Sequence, residues 1–315
     1  MARDSLKRSA IAVAFLRAIA TNSSDTKLFE DPYAEFFLPK RYGWLAKRER
    51  FLKRFARRVE IMESNSQTRY RRQFWRIMTQ VLLRARYTEE VLHNRILEGV
   101  KQYIILGSGM DTFIFRRTDL LQSIRVFELD LPSTQQLKLR RVERAHLDVP
   151  SNVYFLPIDF EKSSVVDVLK ASEFDPKLPT LIGWNGVTYY LPKKVIASML
   201  RELSDYMGEN VEIVFDYADG RLFNRSLSRW WQKLLRYLYR QTREPLITGF
   251  DLEELESLLE ESGFTMVKHC AGKELGDLYS REVLGIFQPS KFMHFAHIKG
   301  VCSAGKSDTE INNVA

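Results

Sequence analysis

Tyr103-Ile104-Ile105-Leu106-Gly107-Ser108-Gly109-Met110-Asp111 decides the fold of this 315-residue chain. Its first four residues are apolar and rich in β-branching, which predicts a short buried strand. Gly-x-Gly ends the strand, where glycine lets the backbone turn tightly and approach a ligand with no Cβ in the way. About twenty residues on, Val126-Phe127-Glu128-Leu129-Asp130 reads as a second strand ending in acid. Strand, glycine turn, crossover and acid-ended strand make a nucleotide-binding half-unit, in which the acid accepts hydrogen bonds from ribose hydroxyls. The third glycine of the dinucleotide fingerprint is missing, since Thr112 and Phe113 follow Asp111. By itself the signal leaves an ordinary strand-to-helix turn open.

The residues that follow alternate. Strands are expected at Val153 to Pro157, Thr180 to Trp184 and Val211 to Phe215, and helices at Gln135 to His146, Val165 to Leu169 and Lys193 to Met207. This βαβα rhythm predicts an α/β fold of Rossmann type, with a mostly parallel sheet covered by helices on both faces. Ligands of such sheets bind beyond the carboxyl ends of the strands. Gly107, Asp130, Asp159, Asn185 and Asp216 stand at those ends. Asp251 to Gly263 reads as a helix capped by Asp251 and stopped by Gly263. Phe264 to His269 and Lys291 to Ile298 read as a final strand pair.

Residues 1–97 read as a helical cap ahead of a core at 98–300. Ile11, Phe15, Ala18 and Ile19 share one face of a helix over Ser5 to Ala20, interrupted by Arg17. Asp31-Pro32 marks a turn. Phe74, Ile77, Met78, Val81 and Leu82 give helical spacing between Gln67 and Leu97, with Gly99 as a stop. From Lys40 to Arg58 the chain is strongly basic with interleaved aromatics. A solvated basic face of an amphipathic helix is the plainer account, and a surface for RNA or anionic lipid the sharper one. A basic stretch with Trp230 and Trp231, at about 221–248, reads as a helical lid or as a helix packed on the core. Residues 301–315 read as a polar, disordered tail.

The net charge of +8 permits contact with nucleic acid or an anionic membrane without requiring it. Two cysteines, Cys270 and Cys302, make neither a disulfide framework nor a metal cluster and suit a reducing cytoplasm. No stretch approaches a transmembrane span.

Taken in order, several further segments carry a resemblance. They are Ser9-Ala10-Ile11-Ala12-Val13-Ala14-Phe15-Leu16-Arg17-Ala18, Phe29-Glu30-Asp31-Pro32-Tyr33-Ala34 and Arg84-Ala85-Arg86-Tyr87-Thr88-Glu89-Glu90. Leu106 to Thr112, Phe127 to Pro132, Pro157-Ile158-Asp159-Phe160, Gly186-Val187-Thr188-Tyr189-Tyr190-Leu191 and Gly249-Phe250-Asp251 follow. With these motifs the chain resembles the leucine carboxyl methyltransferase-like group of class I S-adenosylmethionine (SAM) methyltransferases, over nearly its whole length and most closely its bacterial branch. The resemblance implies SAM as cofactor and a Rossmann-like methyltransferase core behind the helical cap. It implies that Gly107 and Gly109 pass beneath the methionine part of SAM and that Asp130 holds the ribose diol. Asp159 and Phe160 would contact adenine, and Arg84 would pair with the SAM carboxylate. Asn185 and Tyr189 would stand at the reacting end, and Asn185 would also bind the cofactor, at the SAM amino group, or the acceptor. Asn185 departs from the family, which often carries Glu there; a neutral amide contributes less charge stabilisation.

The expected reaction is methyl transfer from SAM to a carboxylate or hydroxyl oxygen of a small molecule or peptide terminus. A hydroxyl acceptor would benefit from a general base. The five candidates His93, His146, His269, His294 and His297 read more readily as core or surface residues. Two other readings compete: a nicotinamide-dependent oxidoreductase, weakened by the missing third glycine, and a non-catalytic RNA- or membrane-binding protein on a methyltransferase fold.

Overall fold

The computed structural model describes residues 6–22, 28–48, 69–223, 245–279 and 288–301, together with positions 50, 51, 54, 57 and 61. All five residues of β1 (Gln102–Leu106) are buried. Tyr103 and Ile105 enter one apolar cluster, Ile104 and Leu106 the other. A strand covered on both faces needs apolar residues at every position, and for that reason this run is continuous rather than alternating.

β2 (Arg125–Asp130) and then β3 (Val153–Pro157) extend the sheet on one side of β1, and β4 (Thr180–Trp184) and β5 (Val211–Ala218) on the other, all parallel. β7 (Met293–Gly300) joins β5 antiparallel, and β6 (Phe264–Cys270) joins β7 antiparallel. The order is β3-β2-β1-β4-β5-β7-β6. The chain changes sides between β3 and β4, so a crevice opens between the carboxyl ends of β1 and β4.

Helices in chain order are α1 (Leu6–Asn22), α2 (Lys40–Ala46), α3 (Arg69–Leu97), α4 (Phe113–Arg116), α5 (Thr118–Leu121), α6 (Pro132–Arg144), α7 (Val165–Lys170), α8 (Lys193–Met207), α9 (Leu252–Glu261) and α10 (Gly272–Leu278). α1 and α3 contribute Ala14, Ile19, Leu82 and Leu83 to the same cluster as Tyr103 and Phe113 of the core. α7, α8 and α9 cover the opposite face.

Buried charges also tie the N-terminal helices to the sheet. Arg17 Nη2 donates to Asp111 Oδ2 at 2.8 Å, the Thr112 hydroxyl to Asp31 Oδ2 at 2.6 Å, and Arg116 Nη2 to Glu89 Oε1 at 2.6 Å. Arg17, read from the sequence as an interruption of an apolar face, is 5% exposed. Asp111 and Asp31 compensate its charge, without which burial would cost several kcal/mol, on the order of 3–5.

The structure corrects several sequence expectations. The mostly parallel sheet is as expected, and the differences lie in where elements begin and end. β7 runs back beside β5. That pairing extends β5 to Ala218, so Asp216 lies within the strand rather than at its end, opposite Phe295. α6 starts at Pro132, three residues before the expected helix; proline suits a first turn, whose N–H would be unpaired anyway. The last strand is Met293–Gly300 rather than Lys291 to Ile298. Asp251 occupies the N-cap position of α9, but its side chain makes no capping bond. The expected lid lies mostly outside the described residues (224–244), as do much of the basic run beyond 48 and the tail from 302. Within the described part of that run, Arg48 stacks over the exposed Trp44 ring at 3.9 Å.

Candidate active site

A cavity of about 810 Å³ lies at the crevice, and all eight residues singled out from the sequence line it: Arg84, Gly107, Gly109, Asp130, Asp159, Phe160, Asn185 and Tyr189. Asp216 lines it too, and α1 and α3 close it with Ala10, Arg17, Ile77, Gln80, Val81 and Thr88.

The floor is the turn after β1. The amides of Gly107 and Ser108 donate to Leu129 O at 2.8 and 3.2 Å, which folds the turn over the end of β2. Gly107 has φ +73, and a Cβ there would come within 2.3 Å of Val187 Cγ2. Left-handed backbone and a close neighbour together require glycine. The Gly109 amide donates to Asp130 Oδ2 at 2.5 Å, and the Leu131 amide to Asp130 Oδ1 at 2.6 Å. Thr134 adds a side-chain hydrogen bond to the same carboxylate. A carboxylate has about four lone-pair sites, so acceptor capacity for a ligand remains after these three. Burial pushes the Asp130 carboxyl above its usual range despite these amides and Lys138. Glu128, the other acid of that strand, is fully buried against Lys138 and turns away from the cavity.

Asp159 and Phe160 follow β3. Asp159 Oδ2 accepts from Lys162 Nζ at 2.6 Å in a partly exposed pair, and Phe160 packs half-buried beside the cluster under α7.

The other wall is held by Arg84. Its Nη1 donates to Tyr189 Oη at 2.8 Å and to Asp216 Oδ2 at 3.2 Å. Asp216 Oδ1 accepts from the Gly186 amide at 2.5 Å. Gly186, at φ +77, brings its backbone so close that a Cβ would lie 2.5 Å from the Arg84 guanidinium. Burial opposes the Arg84 charge, but Tyr189 and Asp216 outweigh it and hold its pKa above the ordinary value. Both described bonds use Nη1, which leaves Nη2 and Nε for an anion. Arg86, two residues on, points elsewhere, donating to Glu90 and to Leu28 O and stacking over Tyr279. Residues two apart on a helix face opposite ways.

Asn185 Nδ2 donates to Thr88 Oγ1 at 2.9 Å, while Asn185 Oδ1 is buried without a partner. A buried orphan acceptor costs about 1–3 kcal/mol, so a donor arriving in the cavity would be bound there. Asp111 sits behind the turn. Burial raises its pKa, yet Arg17, Arg116 and Lys138 prevail and keep it ionised well below the usual carboxylate range.

None of the five histidines lines the cavity. His269, His294 and His297 bond instead to Tyr217, Asp219 and Glu212. Sequence reasoning missed Gln80, Thr88 and the role of Asp216. The first two follow the spacing of Ile77, Val81 and Arg84, so the helical period could have flagged them as facing inward.

The model of the leucine carboxyl methyltransferase family matches residues 10–204, more than half of the chain. The chain belongs to the leucine carboxyl methyltransferase family of SAM-dependent methyltransferases. A Bacillus subtilis protein named as a candidate SAM-dependent methyltransferase, YktD, is 36% identical over 217 residues, covering 68% of this chain and 71% of the relative. A similarly named protein of Streptomyces avermitilis is 26% identical over 196 residues, 62% of this chain and 63% of its own length. The crystal structure of a DUF574 family protein from Streptomyces avermitilis superposes with TM-score 0.57 at 11% identity, covering 90% of this chain and 96% of that one, and shows the shared fold. None of these relatives supports the nicotinamide or RNA-binding readings. Among the described residues no helix is long and apolar enough to cross a membrane, and no group of three metal-ligating side chains occurs.

Proposed function

We propose that this methyltransferase alkylates an oxygen of a small acceptor, a carboxylate or hydroxyl, and that the eight cavity residues do so in the roles the resemblance implies. The observation that carries the reading is the pair of unmet groups in one cavity. Arg84 keeps Nη2 and Nε free beside Asn185 Oδ1, an anion site and a cation site side by side. An amino acid's carboxylate and ammonium need that combination. Asp130, with acceptor capacity left beyond Gly109, Leu131 and Thr134, suits a ribose hydroxyl. Asp159 and Phe160 offer an acceptor and an apolar ring for a purine. When bound, SAM supplies a methyl group on a sulfonium, already a strong donor.

What remains for the protein is alignment and exclusion of water. Gly107 and Gly186 hold the two loops close, and α1 and α3 roof the cavity. Tyr189, on the loop after β4, is fixed by Arg84. A carboxylate acceptor needs no general base, which agrees with a cavity free of histidine. The two cysteines suit the reducing cytoplasm.

Titration calorimetry with SAM and S-adenosylhomocysteine (SAH) tests the cofactor roles. Tritiated methyl transfer to a cell extract tests the acceptor, because carboxyl esters release volatile methanol in base and ethers do not. Base-stable label alone would rule out a carboxylate, and label on nitrogen or carbon would overturn O-methylation altogether.

A further inference from the structure

Away from the acids, the cavity is walled by Ile77, Val81, Tyr190, Leu246 and Met293. Several of these belong to a third apolar cluster, separate from the two that cover the sheet. Gln80 of α3 stands in this wall at 1% exposure. Its orientation is set by chemistry. The Ser290 amide, on the segment leading into β7, donates to Gln80 Oε1 at 3.1 Å. A backbone N–H can only donate, so the amide oxygen must face it and the NH₂ group must face the other way. Nε2 is buried with no partner.

A buried, unsatisfied donor is costly unless something accepts from it. Water alone would not call for the apolar surroundings. The same α3 face carries Arg84 one turn further on, so the donor and the cofactor wall share one rigid element.

We propose that Gln80 Nε2 is the recognition donor of an acceptor-substrate subsite, which takes a small molecule with an apolar body and a carbonyl or carboxylate oxygen. This rests on the function proposed above. The apolar body fills the wall from Ile77 to Met293, and the oxygen accepts from Gln80. A molecule presenting only donors, such as an amine, leaves Nε2 unmet and is rejected. Gln80 is a specificity residue, outside the cofactor half of the cavity.

The test first titrates SAH into wild type, Gln80→Leu and Gln80→Glu. The Glu variant keeps an oxygen for the Ser290 amide and removes the donor at pH 8. The SAH-loaded proteins then receive matched probes: benzoate, benzamide and benzylamine, and hexanoate, hexanamide and hexylamine. In wild type an acid or amide of one set binds and its amine does not. In both variants that probe weakens by about tenfold or more, the loss of one buried hydrogen bond, while SAH affinity stays within about twofold. Equal probe affinity in the variants, binding of the amine as well as the amide, or no probe bound to SAH-loaded wild type would each overturn the subsite. Failure of SAH itself to bind wild type is read separately and overturns the cofactor roles instead.

Discussion

Arg84 Nη1 lies 2.8 Å from the hydroxyl of Tyr189, 105 residues away in sequence. With Asp216 this bond pins a helix of the N-terminal region to the loop after β4, and it engages only Nη1 of a guanidinium that lines the cavity. Arg84→Ala is expected to weaken SAM by about 1.5–3 kcal/mol, the range for hydrogen bonds to charged groups. Adenosine, which lacks the carboxylate, should bind the variant nearly as well as wild type, and Arg86→Ala should alter neither. Calorimetry with both ligands decides it. Equal losses for adenosine and SAM would show that Arg84 acts through the stability of the wall, by leaving Asp216 buried and unpaired.

Asp130 accepts two backbone amides and has acceptor capacity left. Asp130→Asn keeps the shape but puts an NH₂ group against one of those amides. SAH affinity should fall by about 1–3 kcal/mol, with the circular dichroism spectrum unchanged. If affinity is unaltered, the diol is held elsewhere. Glu128 is not the substitute, since Lys138 already engages it in the core.

That Glu128–Lys138 pair gives a stability prediction. Both side chains are fully buried. Lys138→Met strands the carboxylate and should cost about 3–5 kcal/mol, whereas the double change Glu128→Leu, Lys138→Met should recover most of that loss. Denaturant unfolding of the single and double variants measures it. A double variant as unstable as the single would mean that packing, not the stranded charge, sets the cost.

Gly107 separates two causes of strain. Gly107→Ala meets both a left-handed φ and the Val187 methyl 2.3 Å away, and loss of about 1–3 kcal/mol of stability is expected. Val187→Ala in the same chain should relieve the contact but not the dihedral, so rescue should be partial. Complete rescue, read by thermal unfolding, would show that the backbone tolerates the turn.

On the edge of the sheet away from β3, His269 Nε2 lies 2.9 Å from the Tyr217 hydroxyl, and the His269 and His294 rings stack at 5.6 Å. Burial, then the neighbouring His294, lowers the His269 pKa from 6.5, against weaker pulls from Glu274 and Glu256. A depressed histidine contributes stability in full above its unfolded pKa, and that stability is lost as pH falls below about 6.5. Asp219 is raised by burial but brought down further by His294 and Arg221, so its own contribution is lost only below the normal carboxylate range. The midpoint of thermal unfolding should fall between pH 7 and 5, and His269→Gln should flatten that slope. An unchanged slope in the variant would place the titrating group elsewhere.

The five parallel strands and the loops at their carboxyl ends were legible in the sequence. Strands β1 to β5 are short, apolar runs punctuated by glycine and acid, and their signals are local, so Gly107, Asp130, Asp159 and Asn185 could be named without coordinates. The family motifs added Arg84 and Tyr189. What those side chains do to one another depends on neighbours far away in the chain. Arg84 meets Asp216 across 132 residues and Arg17 meets Asp111 across 94. The partner of a buried charge is chosen by spatial proximity, which leaves no periodicity or spacing to read. The reversal of β7 that extends β5 past Asp216 is likewise a choice of neighbour. So is the Ser290 amide, 210 residues from Gln80, that takes up Gln80 Oε1 and leaves Nε2 without a partner. Local propensity forms the strands and helices, whereas the need to satisfy every buried polar group, met or left unmet at long range, makes the site.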